Sequence, residues 1–193
     1  MRIILSVKKT ILARDMRAYY DIIKLLNELH ERRVNPRLLE RIESEVVIEV
    51  DSKQGSGLDD PFMAYFTMVL LVKGKRSFEK LVVGIDPGEK IGVAVVADGE
   101  LLDLRIFRKR DMLEEYLDKV MAYCPARRKI VKVGSHVDDE MLSSLRRLKR
   151  RGVELKIVDE SKSNTSAILS QMYPHIRADD MTSALRIAFR LTI

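Results

Sequence analysis

The sequence predicts an α/β protein whose larger, C-terminal part holds a mixed five-stranded sheet flanked by helices. Three observations lead to this prediction. Residues 81–85 form a continuous apolar run, which is typical of a strand covered on both faces. Asp98-Gly99 separates the apolar runs 91–97 and 101–107 and is a strong hairpin signal. Helical and strand patterns then alternate along the chain, which favours parallel strands joined by helices.

Residues 1–78 predict a small α+β unit of unknown role, ahead of the larger domain at residues 79–193. The elements expected in this unit are strands at residues 2–7, 45–50 and 62–72 and helices over residues 16–29 and from Asn35-Pro36 onward. The polar, charged stretch 73–80 lies between two apolar runs and predicts the domain boundary.

The larger domain is predicted to have the order β-β-β-α-β-α-β-α, with three antiparallel strands followed by two parallel ones. The expected strands are residues 81–85, 91–97, 101–107, 129–134 and 154–158, and the expected helices are 111–123, 138–151 and 178–191. Asp138, Asp139 and Glu140 are expected to cap and charge-balance the second helix, and Gly152 to end it.

Composition favours a soluble, cytoplasmic protein with an anionic partner such as nucleic acid. The net charge is +6, with 29 acidic residues interspersed among 35 basic ones. A lone cysteine, Cys124, fits a reducing compartment. No apolar stretch reaches the ~20 residues of a spanning helix, and the N-terminal residues do not resemble a signal peptide. Motifs of P-loop, dinucleotide-binding, zinc and GxSxG proteins are absent.

Three acids predict a metal site. Asp86 ends the most apolar strand, where an unpaired buried charge would be costly. Glu160 follows the last predicted strand, and Asp180 opens the closing helix, so all three are expected at the sheet edge where α/β proteins bind ligands. Carboxylates suit Mg²⁺, and two cations roughly 4 Å apart can activate water against a phosphodiester. Alternatively, Asp86 could simply start the turn at Pro87-Gly88.

The neighbours of these acids leave alternatives open. Asp159 could face the site in place of Glu160, because adjacent strand residues point to opposite sides. Asp179 could be the N-cap of the closing helix while Asp180 faces the site, or the two residues could exchange these roles. His136 could be a ligand or a proton shuttle, or simply an exposed histidine at a strand end.

This order of elements, with an aspartate ending the first strand, resembles the ribonuclease H-like fold. The motifs narrow the resemblance to RuvC-type Holliday-junction resolvases and their YqgF relatives. VVGIDPGEKIGVAVV resembles their first two strands, with Asp86 at the catalytic aspartate and Gly92 in the second strand. IVDESKSN is similar to a YqgF-type segment, although Lys162 replaces the usual arginine, and ADDMTSALRIA resembles the motif that opens the last helix. The resemblance covers residues 81–193.

The resemblance implies a metal-dependent endonuclease acting on structured DNA or RNA, with Mg²⁺ or Mn²⁺ held by Asp86, Glu160 and Asp180. Two departures qualify this expectation. After the fourth strand the chain has Ser135 and His136 and lacks the metal-binding glutamate of the resolvases. YqgF-like members also lack this glutamate. Ser183 replaces a further acid. A catalytically degenerate module that binds nucleic acid or protein is therefore the competing hypothesis.

Basic residues near the second helix predict contacts with a phosphate backbone. The candidates are Arg146, Arg147, Lys149, Arg150, Arg151 and Lys162. Such contacts would be independent of base sequence and sensitive to salt, whereas the competing interpretation is an ordinary solvated helix face. Related resolvases act as dimers, so a homodimer is a further expectation, with Tyr19 and Tyr20 as interface or core residues.

Overall fold

The computed structural model describes residues 2–6, 9–13, 46–50, 66, 69–70, 73, 75–159, 165–174, 176 and 179–190. The chain divides into two compact units. One comprises Met1–Ser77 and Lys119–Pro125, and the other comprises Phe78–Asp118 and Ala126–Ile193. Along the chain, the first boundary therefore falls inside the charged stretch 73–80.

The first unit contains a three-stranded sheet. Its strands are β1 (Arg2–Ser6), β2 (Lys9–Ala13) and β3 (Val46–Val50), in the order β1-β2-β3. β1 and β2 are antiparallel, whereas β2 and β3 are parallel. β1 and β3 lie within the predicted strands, and β2 was not predicted. The helices expected over residues 16–29 and after Asn35-Pro36 lie outside the described residues.

The predicted strand at 62–72 is wrong where the structure describes it. Phe66, Val69 and Leu70 are helical and buried, and the Lys73 amide donates to the Val69 carbonyl at 3.1 Å. A continuous apolar run does not distinguish a buried strand from a buried helix, because neither imposes a polar face on the sequence. Phe66, Val69 and Leu70 occupy positions i, i+3 and i+4, which lie on one face of a helix.

The second unit is an α/β domain built on a mixed five-stranded sheet, as predicted. Its strands are β4 (Phe78–Asp86), β5 (Ile91–Ala97), β6 (Glu100–Phe107), β7 (Ala126–Gly134) and β8 (Val153–Val158). The spatial order is β6-β5-β4-β7-β8. β4, β5 and β6 pair antiparallel, and β7 and β8 extend the sheet in parallel from β4.

The described helices of this domain flank the sheet. They are α1 (Arg110–Tyr123), α2 (Asp139–Arg146), α3 (Thr165–Met172) and α4 (Asp179–Phe189), with a 3₁₀ helix at Arg147–Arg151. The last turn of α1, from Lys119 onward, is grouped with the first unit. The helix predicted at 138–151 is present over 139–151, but its last five residues form a 3₁₀ helix, as helix ends often do. α3 was not predicted, because its short sequence TSAILSQM mixes apolar and small polar residues and gives a weak apolar stripe. No helix in the described parts of the chain is long and apolar enough to cross a membrane.

The predicted turns and caps are confirmed. Asp98 and Gly99 have φ values of 49° and 84°, as a two-residue hairpin turn requires. The Met141 amide donates to Asp138 Oδ1 at 2.8 Å, which caps α2 at its N-terminus. Gly152 ends the 3₁₀ helix with φ of 75°. These local signals could be identified in advance because each depends on a few adjacent residues.

α4 packs directly on the centre of the sheet. A Cβ added to Gly84 of β4 would lie 2.3 Å from the Ala184 carbonyl oxygen and 2.6 Å from the Ala188 amide nitrogen. Glycine therefore permits this close approach of helix and strand. Ala184, Leu185 and Ala188 join Val82 and other sheet residues in one buried cluster. The close contact determines where each end of α4 lies over the sheet.

Candidate functional site

The carboxyl ends of β4, β7 and β8 lie along one edge of the sheet. Ile85 is opposite Val133, and Gly134 is opposite Val158, in the two parallel pairings. Residues that follow these strands therefore collect at the same edge, where open α/β sheets bind ligands. We call it the carboxylate edge, because Asp86 ends β4 there.

Asp86 marks the point where β4 leaves the core. Leu81, Val83 and Ile85 are fully buried, whereas Asp86 is half-buried. Its position at the strand end gives the carboxylate access to solvent and avoids the cost of complete burial. In the antiparallel pairing with β5, Asp86 lies opposite Gly92.

Gly92 brings the first turn of α4 to this edge. A Cβ on Gly92 would lie 2.1 Å from the backbone oxygen of Asp180 and 3.3 Å from the Ala184 Cβ. Neighbouring strands lie about 5 Å apart. Gly92 is therefore about 5 Å from Asp86 across the sheet, and the Asp180 backbone packs against Gly92 from the helix. These two acids, distant in sequence, are therefore neighbours across Gly92.

The two candidate aspartates of α4 differ in exposure. Asp180 is half-buried, whereas Asp179 is exposed. Asp180 also shares a four-residue spacing with Ala184 and Ala188, which contact the sheet at Gly84 and Gly92. Ser183 is half-buried on the same helix. The structure thus distinguishes Asp180 from Asp179 as the acid on the helix face packed against β4 and β5.

The other predicted site residues are not brought together in the same way. Glu160 and Lys162 lie outside the described residues. Asp159 directly follows β8 and is exposed. Because β8 is separated from β4 by β7, Asp159 lies about two strand spacings, or roughly 10 Å, from the end of β4. Ser135 and His136, after β7, are both exposed.

A divalent cation at the carboxylate edge would rely on few protein ligands. Within the described ranges, no three or more His, Cys, Asp or Glu side chains are grouped so that they could hold a metal ion. Asp86 and Asp180 nevertheless supply hard oxygen donors, and Mg²⁺ is commonly held by one or two carboxylates while it keeps several waters. The donor set therefore fits Mg²⁺ or Mn²⁺ better than a metal that needs nitrogen or sulfur ligands.

The predicted phosphate-binding cluster is exposed, but part of its charge is neutralised within the domain. Arg147 pairs with Glu114 and Asp118 of α1 at 3.3 and 3.4 Å, and Arg151 pairs with Asp118 at 3.1 Å. For Arg146, Lys149 and Arg150, which are also exposed, no ion pair is found among the described residues. Among the described members of the cluster, these three side chains retain the character expected of a phosphate contact.

A second charged site, at the opposite end of α4, was missed from the sequence. Lys132 of β7 is 6% exposed, and its Nζ donates to the carbonyl oxygens of Ala188, at 3.0 Å, and Arg190. Burial, together with the charges of Lys80 and Lys156, lowers the pKa of Lys132 to about 8. The available signal was a lysine interrupting the apolar stretch IVKVG, where a strand covered on both faces should be wholly apolar.

Comparison with known proteins adds no assignment to these two sites. A scan against protein-family models and a search of curated proteins both find no match. The functional interpretation therefore depends on the residues and their arrangement in the fold.

Proposed function

We propose that the chain is a metal-dependent endonuclease of the RuvC/YqgF type that hydrolyses phosphodiesters in structured DNA or RNA. The observation that carries this proposal is the approach of Asp180 to Asp86 across Gly92. The sheet, with three antiparallel strands continued by two parallel ones, supports the ribonuclease H-like resemblance. The basic residues Arg146, Lys149 and Arg150 are available for contacts with the nucleic acid backbone.

Asp86 and Asp180 would hold Mg²⁺ or Mn²⁺, with Glu160 as the candidate third ligand. The chemistry supplied by such a cation is activation of the attacking water and stabilisation of the leaving oxygen. Asp86 is positioned by a strand whose preceding residues are buried, and Asp180 by the contact of α4 with Gly92. Both backbones are therefore held in place by packing. Phosphoryl transfer benefits from such support, because it depends on positioning and on stabilisation of charge.

The competing function is a ribonuclease H-like binding module without catalytic activity. It is favoured by the exposed Ser135 and His136 at the end of β7, where the resolvases carry a glutamate. Two carboxylates of the described residues are well placed at this edge, and a site of that composition could retain the fold and lose the reaction. Such a module would bind nucleic acid through Arg146, Lys149 and Arg150, and would not need a divalent cation.

Nuclease assays on matched aspartate variants separate the two functions. Branched, single-stranded and hybrid substrates should be incubated with Mg²⁺ or Mn²⁺ and with the wild type, Asp86→Asn, Asp180→Asn and Asp179→Asn. We expect Asp86→Asn and Asp180→Asn to lose at least about 100-fold in rate, because even indirect supports of metal ligands cost 10- to 100-fold. Asp179→Asn is the matched control and should retain most activity, since Asp179 is exposed.

Metal-dependent thermal stability provides a second, independent measurement. If Asp86 and Asp180 bind Mn²⁺, millimolar Mn²⁺ should raise the Tm of the wild type and of Asp179→Asn but not of Asp86→Asn. Glu160→Gln tests the third ligand in the same assay. Absence of cleavage on every substrate, or full activity in Asp86→Asn, would contradict the nuclease proposal. Absence of both cleavage and metal stabilisation would favour the binding module.

A further inference from the structure

Three cations extend the carboxylate edge beyond β5 and β6. Ile91 begins β5 opposite Phe107, which ends β6, so the residues next to this pair leave the sheet at the same edge as Asp86. These residues are Lys90 before β5 and Arg108 and Lys109 after β6. All three are exposed. We call them the edge cations.

Strand register places the edge cations near the first carboxylate. Gly92 pairs with Asp86 on one side and with Ile106 on the other. Strands lie about 5 Å apart and rise about 3.3 Å per residue. The backbone of Lys90, two residues beyond Gly92, is therefore roughly 8 Å from that of Asp86, and the backbone of Arg108 is roughly 12 Å away. The edge cations are thus beside the candidate metal site and not within it.

Positive charge exceeds negative charge at the ends of β5 and β6. Among the described residues, no ion pair is found that involves the edge cations, and Glu89 is an exposed acid in the turn before β5. Arg110 and Asp111, which open α1, add one charge of each sign. Arg110 is paired with Asp138 and Glu140. The edge cations therefore remain available to an anionic partner.

The basic cluster predicted from the sequence lies toward the opposite edge of the sheet. The 3₁₀ helix Arg147–Arg151 ends beside Val153, the first residue of β8. β8 reaches the carboxylate edge only at Val158, five residues later. At about 3.3 Å per residue this is roughly 16 Å. The edge cations are therefore closer than Lys149 and Arg150 to the candidate metal site.

A nucleic acid strand that approaches Asp86 and Asp180 needs positive charge nearby. The two carboxylates repel a phosphodiester, and a bound metal ion would offset charge only at the reacting group. The flanking phosphates are neutralised by basic side chains. One strand of a duplex carries a phosphate about every 3.4 Å of helix axis. Separations of roughly 8 to 12 Å from Asp86 thus correspond to the second to fourth phosphate from the cleaved bond.

We propose that the edge cations hold the backbone of the nucleic acid substrate two to four phosphates from the cleaved bond. The inference rests on the proposed function for the position of that bond. Because these contacts are made to phosphates, binding through them is independent of base sequence. Arg146, Lys149 and Arg150 would contact only a substrate that extends toward the opposite edge of the sheet.

Fluorescence anisotropy in EDTA tests these contacts without the reaction. The probe is a fluorescein-labelled DNA four-way junction, titrated with the full chain at several concentrations of potassium chloride. Lys90→Gln and Arg108→Gln should each weaken binding about three- to fivefold, as expected of an exposed charged contact. Each should also reduce the slope of log K against log salt by about 0.9. Arg127→Gln is the matched control, because it removes an exposed cation at the start of β7, on the opposite edge, and should change neither quantity.

Cleavage kinetics in Mg²⁺ separate this inference from the proposed function. Lys90→Gln and Arg108→Gln should raise KM more than they lower kcat, whereas Asp86→Asn should lose kcat. If no substrate is cleaved but both variants still weaken junction binding, the nuclease proposal fails and the edge cations remain phosphate contacts. Unchanged affinity and salt slope in both variants would overturn the inference even in an active nuclease. An equal loss in Arg127→Gln would also overturn it, because net charge alone would then explain the effect.

Discussion

The two ends of α4 lie on the same sheet but carry opposite charges. At the first end, Asp180 meets Gly92 and lies near Asp86. At the second end, Lys132 donates to the last carbonyls of the helix. Each arrangement complements the helix dipole, because acids are favoured at the N-terminus and cations at the C-terminus. One helix thus has acidic side chains at its first end and a buried lysine at its second.

The two ends differ in how the charge is supported. Asp86 and Asp180 are half-buried, and water or a cation can reach them. Lys132 is almost completely buried, so its charge must be compensated by the protein or by a ligand. At the solvated edge, a glycine that lets two backbones approach is sufficient to place two carboxylates near each other. A buried charge needs direct hydrogen bonds as well.

The largest effect is expected from a change that disturbs both ends together. Gly84→Ala would place a Cβ 2.3 Å from the Ala184 carbonyl oxygen, and α4 would have to move away from the sheet. We expect a loss of about 3 kcal/mol in the free energy of unfolding, measured by urea denaturation. Gly88→Ala is the matched control, because its added Cβ would come no closer than 3.4 Å to the Lys90 oxygen. Wild-type stability of Gly84→Ala would show that α4 does not depend on this contact.

The second effect concerns only the cationic end. The pKa of Lys132 is about 8 in the folded protein and 10.5 in the reference state. Between these values the unfolded chain binds more protons than the folded one, so stability should rise with pH across this window and not below it. The rise should be at most about 3 kcal/mol. Lys132→Met should lack this component in denaturation curves recorded from pH 7 to 10.5, whereas Lys149→Met should retain it.

A third change disturbs the carboxylate edge while leaving the other end in place. Gly92→Ala would bring a Cβ within 2.1 Å of the Asp180 backbone oxygen. The first turn of a helix can shift more easily than its centre, so we expect a loss of only about 1 to 2 kcal/mol in stability. Stabilisation by Mn²⁺ should decrease, whereas the rise in stability with pH that Lys132 causes should not change. Loss of both would show that the two ends are coupled.

The smallest effect is expected at the exposed ion pair of Arg128 and Glu154. Glu154→Gln removes the carboxylate that offsets Arg128. Because both side chains are solvent-accessible, the change in stability should be minor. The loss in the free energy of unfolding, measured by urea denaturation, should be below about 1 kcal/mol. Glu79→Gln, which removes the longer 3.4 Å partner of the exposed Arg127, is the control and should cost less stability than Glu154→Gln.

Local signals account for the parts of the structure that could be predicted. Asp98-Gly99 determined a hairpin and Asp138 a helix cap, because turn and cap preferences depend on neighbouring residues. The change from α2 to the 3₁₀ helix could not be predicted, since the basic residues from Arg146 to Arg151 suit either form. Phe66, Val69 and Leu70 were assigned to the wrong element, because a buried apolar run lacks the polar residues that reveal a period.

The sequence by itself determined that Asp86 ends an apolar strand, that Asp180 opens a helix and that three strands join before the first crossover. These properties follow from hydrophobic periodicity and turn chemistry, which act over a few residues. Only the tertiary structure decided that Asp180 lies across Gly92 from Asp86, and that Lys132 lies under the last turn of α4. Strand register and helix packing set these neighbours, and both depend on contacts between residues far apart in the chain.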